Sequence, residues 1–120
     1  FIGLGGDAVE NSFMVNHWHP DSDSAESRRF VEAFTRRYGT APDVLAECGY
    51  ESVRVTVAGI RAAGTTKGAA LRDAIATVDL ALPTGRFRFG LSGDPIKSAA
   101  IITVREGKFE WFATVEPTGK

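Results

Sequence analysis

The stretch FTRRYGTAPDVLAECGYESVRVTVAGIRAAGT, residues 34–65, holds the end of one predicted helix and the whole of the next. Gly39 ends the first helix as a left-handed cap, and Pro42 suits the first turn of the second, predicted over 41–64. Because β-branched residues and Gly49 lower its helix propensity, burial must stabilise the second helix. One face of it is mostly small or apolar: Val44, Leu45, Cys48, Ser52, Val55 and Gly59.

The residues before this stretch predict a strand followed by a helix. SFMVNHW, residues 12–18, alternates apolar and polar positions and is rich in β-prone side chains, which is typical of a strand. Residues 21–39 predict a helix, with Asp23 as its cap and Glu26 at the capping-box spacing. GLGGD, residues 3–7, lacks the context of a phosphate-binding loop and is interpreted as a structural turn.

The residues after this stretch predict one more helix and then strands. Glu106-Gly107 is placed at the tip of a hairpin, where glycine supplies the positive φ that a tight turn requires. The resulting order is β-α-α-α-β-β-β, which indicates an α/β chain. The predicted elements are a helix over 67–79, a turn over 81–85, a strand over 85–90, a turn over 91–95 and the hairpin over 99–117.

Composition limits the classes of function. The 120 residues suit one globular domain, and 14 Lys and Arg against 15 Asp and Glu give no general attraction to nucleic acid or anionic membranes. No apolar run approaches the ~20 residues of a membrane span, and the single cysteine excludes an internal disulfide framework. Because the sequence starts at Phe1 and shows no signal peptide, we expect it to be a piece of a longer chain.

HWHPDSD, residues 17–23, offers imidazole and carboxylate groups that could bind a metal. His17 and His19 share one strand face, but the two aspartates have a simpler role as acceptors at a helix start. The stretch is therefore interpreted as a strand end and helix cap, and no metal ligand is predicted. The alternative, a small metal-dependent hydrolase that uses His17, His19 and Glu47, lacks a complete site.

No other group of residues indicates catalysis. Glu47 and Glu51 lie one helical turn apart, and such a pair is interpreted as a solvated stripe rather than as an acid–base pair. Cys48 has no basic or histidine neighbour in sequence and is interpreted as a small buried residue. There is no G-x-S-x-G nucleophile elbow. We therefore predict a non-enzymatic protein without a cofactor.

Three stretches together resemble one family, the type I periplasmic solute-binding proteins that serve ABC transporters for branched-chain amino acids. Residues 34–65 are similar to its pattern F-x-x-x-Y-G-x-x-P, followed by G-Y-D-A-V and A-I-x-x-A-G. GRFRFGLSGDPIKSAAIITVREGKF, residues 85–109, resembles the G-x-(I/F)-x-F-D-x-x-G-D turn and its hairpin, and residues 4–21 resemble the G-(x)3-E-G turn and strand. The sequence departs from the pattern at three positions: Asn11 for glycine, Glu51 for aspartate and Gly90 for aspartate.

The resemblance implies the C-terminal third of a fold with two lobes, each a three-layer α/β/α sandwich, and a chain that crosses the hinge three times. Residues 1–18 would be the end of the second lobe and a hinge strand. Residues 19–92 would supply helices and a strand of the first lobe, and residues 93–120 the hinge return and a hairpin of the second lobe. HWHP then becomes a hinge crossing.

The resemblance also implies a function. The expected protein is an extracytoplasmic receptor, periplasmic or lipid-anchored, that delivers a small amino acid or related carboxylate to an ABC permease. Ligand-binding residues are expected at Leu45, Glu47 and Tyr50 on the second helix and at Trp18 near the cleft floor. A cytoplasmic ligand-sensing regulator of the same fold is the alternative. The 120 residues alone are expected to associate with the missing part of the protein or to dimerise.

Overall fold

A computed structural model describes residues 1–118 of the chain. No helix among the described residues is long and apolar enough to span a membrane. The helices are α1 (Ile2–Gly5), α2 (Ala25–Tyr38), α3 (Val44–Ala63) and α4 (Gly68–Ala76), and a 3-10 turn follows α1 at Gly6–Val9. The strands are β1 (Phe13–Asn16), β2 (Asp79–Leu82), β3 (Gly85–Phe89), β4 (Pro95–Ile96), β5 (Ala99–Arg105) and β6 (Lys108–Val115).

One antiparallel sheet has the order β1-β5-β6, so its central strand comes from the predicted hairpin. The hairpin and its tip are confirmed: Glu106 and Gly107 both have positive φ, 50° and 68°. The Glu10 carboxylate accepts a hydrogen bond of 2.9 Å from the Glu106 N–H and so fixes the tip against the start of the chain. This sheet joins the two ends of the described chain.

The second antiparallel sheet has the order β2-β3-β4 and packs beneath α3. Its apolar core consists of Val55 from α3 together with Val78, Leu82 and Phe87. The chain passes from this sheet to the first one at Lys97 and Ser98, between β4 and β5. The predicted domain limits, including the one between 92 and 93, remain a prediction, and residues 119 and 120 of the last segment lie outside the described part.

The predicted helix α2 is confirmed, but it begins at Ala25 rather than at residue 21, and its predicted cap is wrong. Ser24, not Asp23, is the N-cap residue, and its hydroxyl accepts a hydrogen bond of 3.0 Å from the Ser27 N–H. The same hydroxyl donates to the Pro83 carbonyl at 3.2 Å, so a contact distant in sequence selects Ser24. Gly39 ends the helix in the left-handed conformation as predicted, with φ of 75°.

The helix α3 begins three residues later than predicted, so Pro42 precedes its N-cap instead of lying in its first turn, and it ends at Ala63 with Gly64 as its cap. Asp43 is its N-cap residue and accepts a hydrogen bond of 2.8 Å from the Ala46 N–H, while Gly64 is a left-handed C-cap. Gly59 allows α4 to approach closely, because a Cβ at this position would collide with Ile75 and touch Leu71. The C-terminal half of α3 is thus packed tightly against α4.

Two strands were missed and one turn was misassigned. The predicted third helix over 67–79 stops at Ala76, and 79–82 is a strand whose Leu80 pairs with Phe87 of β3. Both β2 and the two-residue β4 are too short to show a clear alternation, and their pairing with β3 decides their conformation. GLGGD lies in α1 and the following 3-10 turn rather than in a simple turn.

Candidate functional site

The N-terminal half of α3 carries two buried carboxylates, so the predicted solvated stripe is wrong. Glu47 is 0% exposed and Glu51 is 5% exposed. Their spacing of one turn places both on the face of α3 that meets the β2–β3 connection and the segment after β4. Sequence spacing alone could not show this, because the residues that cover the pair come from distant parts of the chain.

Glu51 is held by three polar interactions. Its Oε1 accepts hydrogen bonds from the N–H of Thr84 at 3.0 Å and from the hydroxyl of Thr84 at 2.8 Å, and its Oε2 lies 3.4 Å from Lys97 Nζ. Burial alone would raise the pKa of Glu51, but interaction with Glu47, the two Thr84 hydrogen bonds and the Lys97 charge together lower it. Glu51 is therefore the charged member of the pair.

Glu47 lies in the opposite environment. Neither of its carboxylate oxygens has a hydrogen-bond partner of normal geometry within the described residues. Burial first, and then the proximity and charge of Glu51, raise the pKa of Glu47 to about 8. Two buried carboxylates so close together cannot both ionise at little cost, so at neutral pH the pair holds one proton, mostly on Glu47.

His17 and Lys97 complete the polar cluster. His17 Nε2 lies 3.8 Å from Glu47 Oε2 and contacts Lys97 Nζ. Burial and the Lys97 charge lower the pKa of His17, although the Glu51 charge partly opposes them. Since His17 is neutral and Glu47 protonated near pH 7, their contact is not an ion pair. The ion pair of the cluster is Lys97 with Glu51.

Cys48 supplies a thiol beside these groups. It is a partly buried free cysteine, and burial followed by the charge of Glu47 raises its pKa. One donor atom from each of His17, Glu47 and Cys48 lies within 4.8 Å of the other two. Across residues 1–118 these three form the one group of at least three His, Cys, Asp or Glu side chains with such a spacing.

A cavity of about 410 Å³ opens beside the cluster. Its polar side is formed by His17, Cys48, Glu51 and Lys97, and the remaining wall is mainly apolar. The cavity therefore gives small molecules or ions a route to the polar cluster. The other lining residues are Ser52, Val55, Thr56, Ile75, Phe87, Phe89 and Pro95.

The four residues predicted to bind ligand lie in different surroundings. Leu45 is 75% exposed near the start of α3, whereas Glu47 is fully buried in the polar cluster. Trp18 is 2% exposed, and its indole N–H donates to the Ser27 hydroxyl at 2.9 Å. The structure brings only Glu47 into the cluster, and the binding role of all four stays a prediction.

Tyr50 packs on the same ring as Trp18. Its ring stacks on Phe30 with a centroid distance of 4.7 Å, and Trp18 meets Phe30 edge-on at 5.7 Å. The Tyr50 hydroxyl accepts a hydrogen bond of 2.6 Å from the Arg54 guanidinium. Tyr50 and Trp18 therefore have clear structural roles in joining α2, α3 and the segment after β1.

The HWHPDSD stretch does not gather its four candidate ligands. His17 faces the polar cluster, whereas His19 Nδ1 accepts a hydrogen bond of 3.3 Å from the Asp21 N–H. The Asp23 carbonyl accepts from Arg28, and its side chain is not the helix cap. Lys97 was not among the predicted site residues, because a single lysine after β4 carries no signal of its position beside His17.

Comparison with known proteins identifies the family. The sequence model of the periplasmic binding protein family matches residues 1–108, so the chain belongs to this family. The predicted resemblance and the type I fold are thereby confirmed. Among curated protein sequences, none matches the chain significantly.

Solved structures of this class superpose well on the chain. A leucine binding protein, LivK, from Thermotoga maritima is 29% identical, with a TM-score of 0.82 over 97% of this chain and 34% of that one. A solute binding protein of an ABC transporter from R. palustris, in complex with benzoate, is 27% identical, with a TM-score of 0.76 over 97% of this chain and 33% of that one.

A third similar structure is also a substrate-binding protein of an ABC transporter. An ABC transporter substrate-binding protein from Sphaerobacter thermophilus is 26% identical, with a TM-score of 0.79 over 93% of this chain and 33% of that one. The chain therefore spans about a third of the length of each of these structures. Substrate-binding proteins of ABC transporters are not enzymes.

Proposed function

We propose that the chain is part of an extracytoplasmic receptor of an ABC importer that binds a small amino acid or related carboxylate between two lobes. The observation that carries this proposal is the family match over residues 1–108. It is supported by the likeness to a leucine binding protein and to a solute binding protein in complex with benzoate. Leucine and benzoate differ in shape, but both carry a carboxylate, which fixes the proposed ligand class.

The start of α3 is the proposed contact with the carboxylate end of the solute. A helix N-terminus presents unpaired N–H groups and a positive potential to an anion. Asp43 accepts from only one of these groups, the Ala46 N–H. Leu45 is exposed next to them, so it can contact the apolar part of a solute.

The other three predicted residues are proposed to act around this contact. Trp18 and Tyr50 both pack on Phe30 and so hold the start of α3 against the segment after β1. Glu47 is fully buried and lies one turn beyond the cap, so it would meet a polar group of the solute only after a side-chain movement.

The proposed mechanism is closure of two lobes around the solute, followed by delivery to a permease. The proposed location is the periplasm or the outer face of a membrane with a lipid anchor. Cell fractionation tests the location: recovery of the protein only from the cytoplasm would contradict a receptor and favour a regulator of the same fold.

Calorimetric titration of the full-length protein with leucine and with benzoate tests the binding site. If Leu45 buries its side chain against the solute, Leu45→Ala should weaken the affinity for the bound solute roughly tenfold. Leu91→Ala is the matched control, because Leu91 is also exposed but lies in the turn after β3. Equal affinity in both variants would refute the assignment of Leu45, and no heat with any carboxylate would refute the proposed ligand class.

A further inference from the structure

We propose that His17, Glu47 and Cys48 form a binding site for one zinc-type divalent metal ion. The ligand atoms are a ring nitrogen of His17, a Glu47 carboxylate oxygen and the Cys48 Sγ, all within 4.8 Å of one another. The site joins two separate segments, since His17 follows β1 and the other two residues lie in α3. Nothing in the function proposed above requires this ion.

The state of Glu47 gives independent support for a bound cation. Its carboxyl group is completely buried, and both oxygens are without a hydrogen-bond partner in the described part of the chain. Buried polar groups almost always have partners, because an unpaired one costs free energy. An ion between Glu47 and His17 would supply the missing partner.

The geometry is close to what a metal needs. Zinc binds nitrogen, oxygen and sulfur ligands at roughly 2.0 to 2.3 Å, so neighbouring ligand atoms of a tetrahedral site lie roughly 3.3 to 3.6 Å apart. His17 Nε2 and Glu47 Oε2 are already 3.8 Å apart. The remaining separations, at most 4.8 Å, can close by side-chain rotation of Glu47 and Cys48.

The ligand types select the class of metal. An imidazole, a thiolate and a carboxylate favour Zn²⁺ or Co²⁺ over Mg²⁺ and Ca²⁺, which prefer oxygen ligands alone. Three protein ligands leave a fourth position open for water or for a group of a bound molecule. The cavity lined by His17 and Cys48 gives the ion a route to the site.

Lys97 is a competitor for the same position. Its ammonium contacts His17 Nε2 and lies 3.4 Å from Glu51 Oε2. A metal ion at His17 must displace the ammonium from the imidazole, but the Glu51 carboxylate can retain it. Removal of the Lys97 charge should therefore tighten metal binding.

The proposal departs from the prediction that this sequence holds no metal ligands. It uses only His17 of the HWHPDSD stretch, because His19 is engaged with Asp21 and lies outside the group of three ligands. The other two ligands lie about thirty residues further along the chain, beyond the reach of a local motif.

Titration of chelator-treated full-length protein with Co²⁺, and then with Zn²⁺, tests the site in the absence of any solute. Co²⁺ should produce a thiolate-to-metal absorption band that Zn²⁺ abolishes by displacement. The band should disappear in Cys48→Ser. His17→Gln and Glu47→Gln should weaken Zn²⁺ affinity by at least about tenfold, the scale seen even for groups that only support a ligand.

His19→Gln is the matched control, because it removes the other imidazole of the same stretch. It should leave Zn²⁺ affinity unchanged, and Lys97→Met should raise it several-fold. The proposal is overturned if the wild type binds neither ion, if the band persists in Cys48→Ser, or if His19→Gln weakens binding as much as His17→Gln. Thermal melts of each variant distinguish loss of the metal site from loss of the fold. Solute binding is measured in a separate titration, so that a failure of the metal site is not confused with a failure of the proposed receptor function.

Discussion

The two halves of α3 are buried in different ways. The C-terminal half packs Val55 into the apolar core and lets α4 approach at Gly59. The N-terminal half buries Glu47 and Glu51, of which only Glu51 has hydrogen-bond partners in the described residues. The first kind of burial stabilises the fold, whereas the second leaves the Glu47 carboxyl group without a hydrogen-bond partner in the described residues.

This difference indicates which half of α3 can respond to a bound molecule or ion. Close-packed apolar side chains leave no polar group without a partner, so the C-terminal half of α3 is stable without a ligand. An unpaired buried carboxylate destabilises a fold unless something else binds to it. The N-terminal half is therefore the part of the helix at which a solute, a proton or a metal ion can change the energy of the molecule.

The largest expected effect comes from breaking the satisfied carboxylate. In the full-length protein, Glu51→Ala should lower the free energy of unfolding by about 3 to 5 kcal/mol, because it leaves the Thr84 N–H buried without a partner and removes the carboxylate that pairs with the Lys97 charge. The matched change Glu47→Gln should cost less than about 1 kcal/mol, since Glu47 has no such partner to lose. Urea denaturation of both variants checks this order. Equal losses of unfolding free energy would show that the two carboxylates do not differ in how they are stabilised.

Two glycines of α3 should respond with opposite signs. Gly59→Ala places a Cβ against Ile75 and should destabilise the protein by about 1 to 3 kcal/mol. Gly49→Ala meets no atom within 4 Å and should stabilise it by about 0.4 to 1 kcal/mol, because alanine restricts the unfolded chain. Thermal melts of the two variants at one pH give the comparison. Stabilisation by both substitutions would contradict the tight packing against α4.

The pH dependence of stability should report the proton on Glu47. Since the pKa of Glu47 rises from the ordinary 4.5 to about 8 on folding, the folded chain keeps a proton that the unfolded chain releases. The contribution of Glu47 is therefore full below about pH 4.5 and is lost as the pH rises through about 8.

Glu47→Gln removes this dependence, so its melting temperature relative to wild type should increase from pH 4.5 to pH 8.5. The lowered pKa of Glu51 has the opposite effect, with stability lost on acidification, but Glu51 is present in both proteins. A difference in melting temperature between Glu47→Gln and wild type that stays constant across this pH range would mean that the pKa of Glu47 is not raised on folding.

The smallest energetic effect is expected from the exposed apolar residues, which act on association rather than on the fold. Val15 is 72% exposed and Phe13 is 55% exposed on β1, an edge strand of its sheet. The isolated 120 residues should therefore form dimers or larger species in light scattering, as expected from the sequence. A monodisperse monomer with a cooperative melt would contradict this expectation.

Local patterns predicted much of the fold. The end of α2 at Gly39, the end of α3 at Gly64 and the hairpin tip at Glu106-Gly107 depend on neighbouring residues, and all three are confirmed. The cap of α2 was wrong because Ser24 is selected by its contact with Pro83, far along the chain. Strand β2 was missed because its pairing with β3, rather than its own short sequence, determines it.

The candidate site was less predictable than the fold. Glu47 was identified from its position near the helix start, but the burial of Glu47 and Glu51 depends on Thr84 and Lys97. Trp18 and Tyr50 carry side chains suited to a ligand pocket, yet both pack against Phe30. A polar cluster built from distant segments leaves no periodicity in the sequence, so neither its arrangement nor the membership of Lys97 could be predicted.

The central claim is that the full-length protein is a receptor for a small carboxylate, and thermal melting with a panel of solutes tests it most directly. A solute at ~100 times its dissociation constant stabilises the folded state by roughly 2.7 kcal/mol, which raises the melting temperature by several degrees. The account predicts such a rise with an amino acid or an aromatic acid and none with neutral sugars. No rise with any carboxylate, or a rise with sugars alone, would contradict it.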